Sequence, residues 1–338
     1  MGALRTFFEE IRAQKEDLVA AWIIRTEGST YRKSGALMLF SREKRVGLLS
    51  GGCLEGDLHE HARQLLDAPP NTPPLSIHRY DSRGSDDPVW GLGLGCEGLM
   101  EVLLLRCSAK THYQPLQHIF EATAQQRRIT CHINLKTGEC SDSESDVSLP
   151  RQTDYGVVHA ATQVFSVHVR PPPQLLICGA GPDVDAVIFF AEKLGWHLTV
   201  VDHRPAYVEA HRFGSTAKIV ALESPADLAE QLPLHDFSAA LVMSHHLLAD
   251  TDYLNALADT HIPYVGLLGP AARRARLMSA LGAQAPKLES RLRAPVGLDI
   301  GARSAEEIAL AIVAEIQASL QGREARSFTT ATAHPYIK

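Results

Sequence analysis

Hydrophobic positions along this chain fall into two styles. In the first third they come as short runs broken by glycine turns: LVAAWII at 18–24, ALMLF at 36–40, RVGLL at 45–49, LSIHRY at 75–80 and MEVLLL at 100–105. Runs of this length, bounded by turn residues, predict strands rather than helices. Two helical patterns interrupt them. Leu4, Phe7, Phe8 and Ile11 share a face near the start, and a second helix from Leu54 to Leu66 aligns Leu54, Leu58, Ala62 and Leu65.

The stretch 110–165 is patterned more weakly. It predicts a helix near 115–128, a strand near 129–135, and then a polar, acid-biased loop in GECSDSESD. Three prolines at 171–173 mark a rigid boundary. Beyond them QLLICGAG reads as a buried strand entering a glycine turn. Val184, Val187, Ile188 and Ala191 predict the helix that follows, Gly195 its end, and HLTVVD the next strand. Further strands are predicted in KIVAL (218–222), AALVMS (239–244) and YVGLL (264–268). Ser304 and Glu307 form a capping box ahead of a final helix. The expected architecture is α/β. An N-terminal α/β domain of short strands occupies 1–170, a Rossmann-like, doubly wound parallel-sheet domain 171–325, and a tail 326–338.

Length and composition narrow the function classes. A chain of 338 residues has material for two cores, and 45% hydrophobic with 21% charged residues is too apolar for a disordered chain. Lys and Arg number 33 against 39 Asp and Glu, a net charge of −6, which argues against a nucleic-acid partner. The first residues lack the apolar core of a signal peptide, and no apolar stretch approaches the ~20 residues that cross a bilayer. The six cysteines contain no CxxC pair, which suits free thiols in a reducing compartment. The expectation is a cytoplasmic protein away from membranes. His245 and His246 are adjacent on an extended segment and point to opposite faces, so no metal site is expected there. Symmetric pairing is common enough to keep a homodimer open.

The candidate chemistry lies in glycine loops. RTEGSTYRKSGA (25–36) frees its backbone at Gly28 and Gly35, offers the hydroxyls of Ser29 and Thr30, and carries Arg32 and Lys33. Such a loop can receive an anion through backbone amides and cationic heads, or can be a plain hairpin with solvated basic residues. In SGGCLEGD (50–57), Gly51 and Gly52 precede Cys53 at or near the start of a helix. That setting favours a thiolate nucleophile or soft-metal ligand, opposed by Glu55 and Asp57 if they face the thiol; the competing reading is a small core residue. GLGLGCEG (91–98) sets Cys96 among four glycines, where a ligand can approach closely. In the second domain the dinucleotide fingerprint is incomplete. Gly179 and Gly181 match, Val184 replaces the third glycine, and Asp183 and Asp185 oppose a diphosphate at the helix start. Asp202 stands about where a ribose-binding acid is expected, or caps the next turn, and Arg204 could contact a phosphate or lie solvated.

RTEGSTYRKSGALML, LLSGGCLEGDL and LGLGCEGLMEVLL resemble the N-terminal domain of the XdhC/CoxI family, maturation factors of xanthine and carbon monoxide dehydrogenases. LLICGAGPDVDAV, LGWHLTVVDHRPAY, YVGLLGP and RLRAPVGLDIGARSAEEIALAIVAEI resemble that family's Rossmann-like C-terminal domain. The resemblance implies an accessory protein that binds the molybdenum cofactor as cargo. It would protect the cofactor, support its sulfuration with a cysteine desulfurase, and insert it into an apo xanthine-dehydrogenase-type hydroxylase. Carried over by motif, the implied cofactor-binding residues are Gly28, Ser29, Thr30, Arg32, Lys33, Gly51, Gly52, Cys53, Glu55 and Cys96, then Gly179, Gly181, Asp202 and Arg204. Cys53 and Cys96 are the candidate reactive thiols. Two positions depart from the family pattern: Ser34 replaces a proline, which predicts a looser turn, and Glu97 puts a negative charge beside Cys96. The alternative reading is an NAD(P)-dependent oxidoreductase acting on a small substrate or on the cofactor; a scaffold that only docks partners is a third.

Overall fold

A computed structural model describes residues 1–69, 72–83, 98–144, 155–209 and 212–327. They divide into two units, Met1–Pro171 and Pro172–Ser327. Cys96, Glu97 and the end of the tail lie outside the described residues.

The first unit is built on an antiparallel sheet of β1 (Leu18–Gly28), β2 (Leu37–Phe40), β3 (Arg45–Val46), β4 (Leu75–Asp81) and β5 (Gly98–Cys107), in the order β3-β2-β1-β5-β4. Both faces of β1 are covered, which is why its sequence is a continuous apolar run rather than an alternation. Leu18, Ala20, Trp22 and Ile24 face one core, where Phe7, Phe8 and Ile11 of helix α1 (Gly2–Ala13) also pack. Val19, Ala21 and Ile23 face the other core, against Leu58, Ala62 and Leu65 of helix α2 (Glu55–Asp67). The period of two along a strand assigns each side chain to its core. β1 runs further than its apolar stretch, pairing with β5 as far as Gly28 opposite Gly98.

The weakly patterned middle differs most from expectation. Helix α3 (Leu116–Ala124) ends earlier than predicted, and β6 (Ile129–Asn134) appears as expected. The acidic segment expected as a loop instead supplies β7 (Cys140–Glu144), which pairs antiparallel with β6. β8 (Tyr155–His159) and β9 (Val164–Val169) complete a sheet of order β7-β6-β9-β8. β7 is an edge strand whose polar side chains give no apolar alternation to read.

The second unit carries a parallel sheet of β10 (Gln174–Cys178), β11 (His197–Asp202), β12 (Ala217–Ala221), β13 (Ala239–Val242), β14 (Val265–Leu267) and β15 (Leu292–Arg293). Its order, β12-β11-β10-β13-β14-β15, is 3-2-1-4-5-6 within the unit, the doubly wound Rossmann arrangement. Leu175 and Ile177 face a core with α4 (Val184–Lys193), where Val184 is buried; Leu176 and Cys178 face the opposite core. Gly195 adopts φ +76°, and the Trp196 amide returns to the Ala191 carbonyl to end α4. Later helices are α5 (Leu228–Gln231), α6 (Leu247–Ala258), α7 (Ala271–Leu281), α8 (Ala285–Glu289) and α9 (Ala305–Leu320), the last with the expected Ser304/Glu307 capping box. Among the described residues no helix is long and apolar enough to cross a membrane.

Candidate functional site

A cavity of about 430 Å³ opens in the first unit where the loop after β1, the turn before α2, and strands β4 and β5 converge. Ser29, Thr30 and Tyr31 line it from the first loop, and Ser50, Cys53 and Leu54 from the second. This volume lies within the range of small-molecule sites.

The second loop is shaped by one buried carboxylate. Glu55 is 1% exposed, and its Oε1 accepts from the amides of Leu49 at 2.9 Å and Ser50 at 2.8 Å. Oε2 accepts from the Ser50 hydroxyl at 2.5 Å and the Gly52 amide at 3.0 Å, while Ser50 Oγ in turn accepts from the Leu54 amide. Burial opposes the charge, but the donors from Ser50 and Leu49 outweigh it and hold the carboxyl below its ordinary range. Gly51 and Gly52, at φ +80° and +112°, let the chain fold over this carboxylate. Glu55 therefore builds the loop; its side chain is not among those lining the cavity, nor does it oppose the thiol there.

Cys53 projects outward instead. It is exposed, with Sγ donating to the Ser50 carbonyl at 3.2 Å. The other described cysteines are sequestered. Burial pushes the Cys107, Cys131 and Cys178 thiols well up, and Cys140 up to about 12.

The first loop is anchored more firmly than Ser34 suggests. The Ser34 hydroxyl lies 2.9 Å from the Ile24 carbonyl and 2.8 Å from that of Gly156, and the Gly156 amide donates to Ser34 O. A Cβ on Gly35, at φ +96°, would stand 2.6 Å from the backbone of Tyr155. Hydrogen bonds and close main-chain contact thus hold this turn without a proline. Lys33 Nζ reaches back to the Gly28 carbonyl at 3.4 Å, and neither Lys33 nor exposed Arg32 lines the cavity.

The sequence-predicted residues Ser29, Thr30 and Cys53 thus meet at one cavity, with Gly51 and Gly52 in the turn that carries Cys53. His61, His78, Arg79, Tyr80, Asp81 and Ser82 line it too, unforeseen. Their signal is faint: Ser76, His78 and Tyr80 occupy alternate positions of β4, a polar stripe at strand period.

In the second unit Gly179 and Gly181 lie in the turn after β10, beside the switch point between β10 and β13, and Asp202 and Arg204 at the end of the neighbouring β11. There Asp202 is fully buried. Its Oδ2 accepts from the Ala180 amide at 2.7 Å, and both oxygens bind the Arg204 guanidinium at 2.7 and 2.9 Å. Burial alone would raise its pKa, but these partners hold it low. The expected ribose acid is spent inside the fold. Arg212 donates to the carbonyls of Ala180 and Gly181, and His245 Nε2 lies 2.8 Å from Asp183, so the glycine turn is bracketed by the protein's own side chains.

The fold and the paired loops agree with the comparisons, by which the chain belongs to the XdhC/CoxI family. Residues 11–81 match the XdhC and CoxI family model, and residues 175–316 match the XdhC Rossmann domain. Among individual proteins, a Bacillus subtilis protein named as a probable component of xanthine dehydrogenase is 33% identical over 94% of this chain and 97% of its own. The Escherichia coli molybdenum cofactor insertion chaperone PaoD is 24% identical over 88% of this chain and 82% of its own. The crystal structure of a xanthine dehydrogenase from Bacillus halodurans superposes with a TM-score of 0.77 at 31% identity, covering 97% of both chains.

Proposed function

We propose that this protein is an accessory factor of a molybdenum hydroxylase that carries the molybdenum cofactor and inserts it into the apo-enzyme. The family supports the accessory role, and the insertion chaperone PaoD supports the nature of the cargo. The single observation that carries the reading to this chain is Cys53, the exposed thiol at the mouth of a cavity edged by two glycine loops.

A metallopterin is anionic, partly flat and rich in sulfur and metal. In this reading Cys53 faces the metal end, a sulfur donor beside a centre already bound through sulfur. Ser29, Thr30 and the loop amides accept the polar substituents, and the half-exposed ring of Tyr31 offers an apolar surface. The protein shields the cofactor while a cysteine desulfurase supplies sulfur, then releases it to a xanthine-dehydrogenase-type partner in the cytoplasm. Hand-over requires an affinity that permits timely dissociation. The oxidoreductase alternative has the strand order in its favour and the engaged Asp202 against it.

The test is expression in a molybdopterin-producing host, followed by denaturation, oxidation and fluorescence measurement of the released pterin. Wild-type protein is expected to carry pterin and Cys53→Ala to lose most of it. Wild-type protein free of pterin would end the proposal.

A further inference from the structure

At the same cavity stands a group of side chains from α2 and β4 that bond to one another. The imidazoles of His61 on α2 and His78 on β4 stack, ring centroids 3.9 Å apart and planes inclined by 27°. Behind them Asp57 Oδ2 accepts from the Tyr80 hydroxyl at 2.6 Å and lies 3.4 Å from His61 Nε2. Ser76 Oγ sits 2.9 Å from His78 Nε2. Both rings and Tyr80 line the cavity.

The chemistry of this wall discriminates between possible guests. With the Nε2 of His61 turned to Asp57 and the Nε2 of His78 to Ser76, each ring keeps its Nδ1 for a guest, a donor or an acceptor according to tautomer. Burial, and then the neighbouring His61, push His78 below the ordinary imidazole range, so its ring stays neutral at physiological pH. The guanidinium that lines the cavity, Arg79, is paired with Asp81 at 3.1 Å, and Asp57 adds a further carboxylate. A phosphate, which only accepts hydrogen bonds and is negatively charged, finds little here. The edge of a pterin ring, where amino and ring N–H donors alternate with a carbonyl and ring nitrogens, matches such a wall. His61 also stands about 9 Å along the helix from Glu55, at roughly 1.5 Å per residue, so a guest touching both Cys53 and this pair must be extended.

We infer that the stacked His61–His78 pair, positioned by Asp57 and Tyr80, is the subsite that takes the hydrogen-bonding edge of the cargo's pterin ring, while Cys53 of the same cavity faces its metal end. The inference rests on the cargo reading above and adds which end of the cargo lies where.

Titration of unsubstituted pterin, followed by its own fluorescence, isolates this subsite because the probe carries neither metal nor phosphate. Wild-type protein should bind it saturably. His61→Phe and His78→Phe keep a flat ring and remove both nitrogens, and each should weaken binding roughly tenfold, the loss of about one net hydrogen bond. His78→Gln, which retains a donor and an acceptor, should recover part of the loss and serves if the phenylalanine variant fails to fold. Inorganic phosphate should not displace the probe. Unchanged pterin affinity in the His61 and His78 variants, displacement by phosphate, or no saturable binding to the wild type would overturn the inference. Cofactor co-purifying with wild-type protein alongside such a result would leave the carrier role standing and remove only this subsite.

Discussion

The two units use one device to opposite ends. In each, a glycine turn closes over a carboxylate buried to within 1% exposure: Glu55 under residues 49–52, and Asp202 under Ala180. Around Glu55 the partners are backbone amides and one hydroxyl, and the loop turns Cys53 and a cavity toward solvent. Around Asp202 the partners include a bidentate arginine, while Arg212 covers the carbonyls of the same turn. A buried carboxylate can present a loop or seal it. Which it does depends on whether neutral amides or cations satisfy it, since a guanidinium fills the space that a ligand would use.

Replacing the carboxylates should break this contrast most sharply. Glu55→Leu strands two buried amides, the part-buried Gly52 amide and a hydroxyl, and is expected to destabilise the protein by about 3–4 kcal/mol in urea denaturation. In native protein it should also abolish the selective alkylation of Cys53 over the four sequestered cysteines, read by mass spectrometry. Asp202→Asn keeps one acceptor and a similar shape, so about 2 kcal/mol is expected, with alkylation of Cys53 unchanged. Equal loss of Cys53 selectivity in both variants would show that the loops are not separately built.

Acid provides a gentler probe. Both carboxyls have folded pKa values below their ordinary ones, 4.5 for Glu55 and 3.8 for Asp202. Their contribution is therefore complete above the ordinary carboxylate range and is lost as pH falls through the folded values. Stability measured from pH 6 down to pH 3 should decline less steeply in Glu55→Gln than in the wild type; parallel curves would refute the assignment. The smallest expected effect concerns nucleotides. Calorimetry should detect no tight NADH or NADPH binding, because Asp202 is engaged and Asp183 and Asp185 remain at the helix start. Low-micromolar saturable binding would restore the oxidoreductase reading.

Much of this is legible in the residues, and the exceptions share a cause. The run LVAAWII predicts β1, and the period of two then sorts its side chains between two cores. Strand, glycine turn, helix, strand predicts the doubly wound order before any partner is known. The polar edge strand β7 is hidden because a strand with one neighbour and solvent on its faces has no apolar signature. Arg32 and Lys33 look like cavity cations, yet neither is among the residues that line the cavity. Glu55 reads as a ligand contact, although its role inside the loop depends on three amides that only the folded turn brings together. His61 and His78 lie far apart in sequence, and nothing in either helix or strand pattern announces that they stack.

The Glu55 loop has one more consequence, which comes from how short it is. Every donor to that carboxylate lies within six positions of it along the chain. Closing so small a circuit costs little chain entropy, so the motif can knit itself together early and re-form quickly after any local breathing. The presentation of its sulfhydryl is then largely an autonomous property of one heptapeptide, residues 49–55, and the helix it opens, portable in principle to another scaffold that supplies the same helical start.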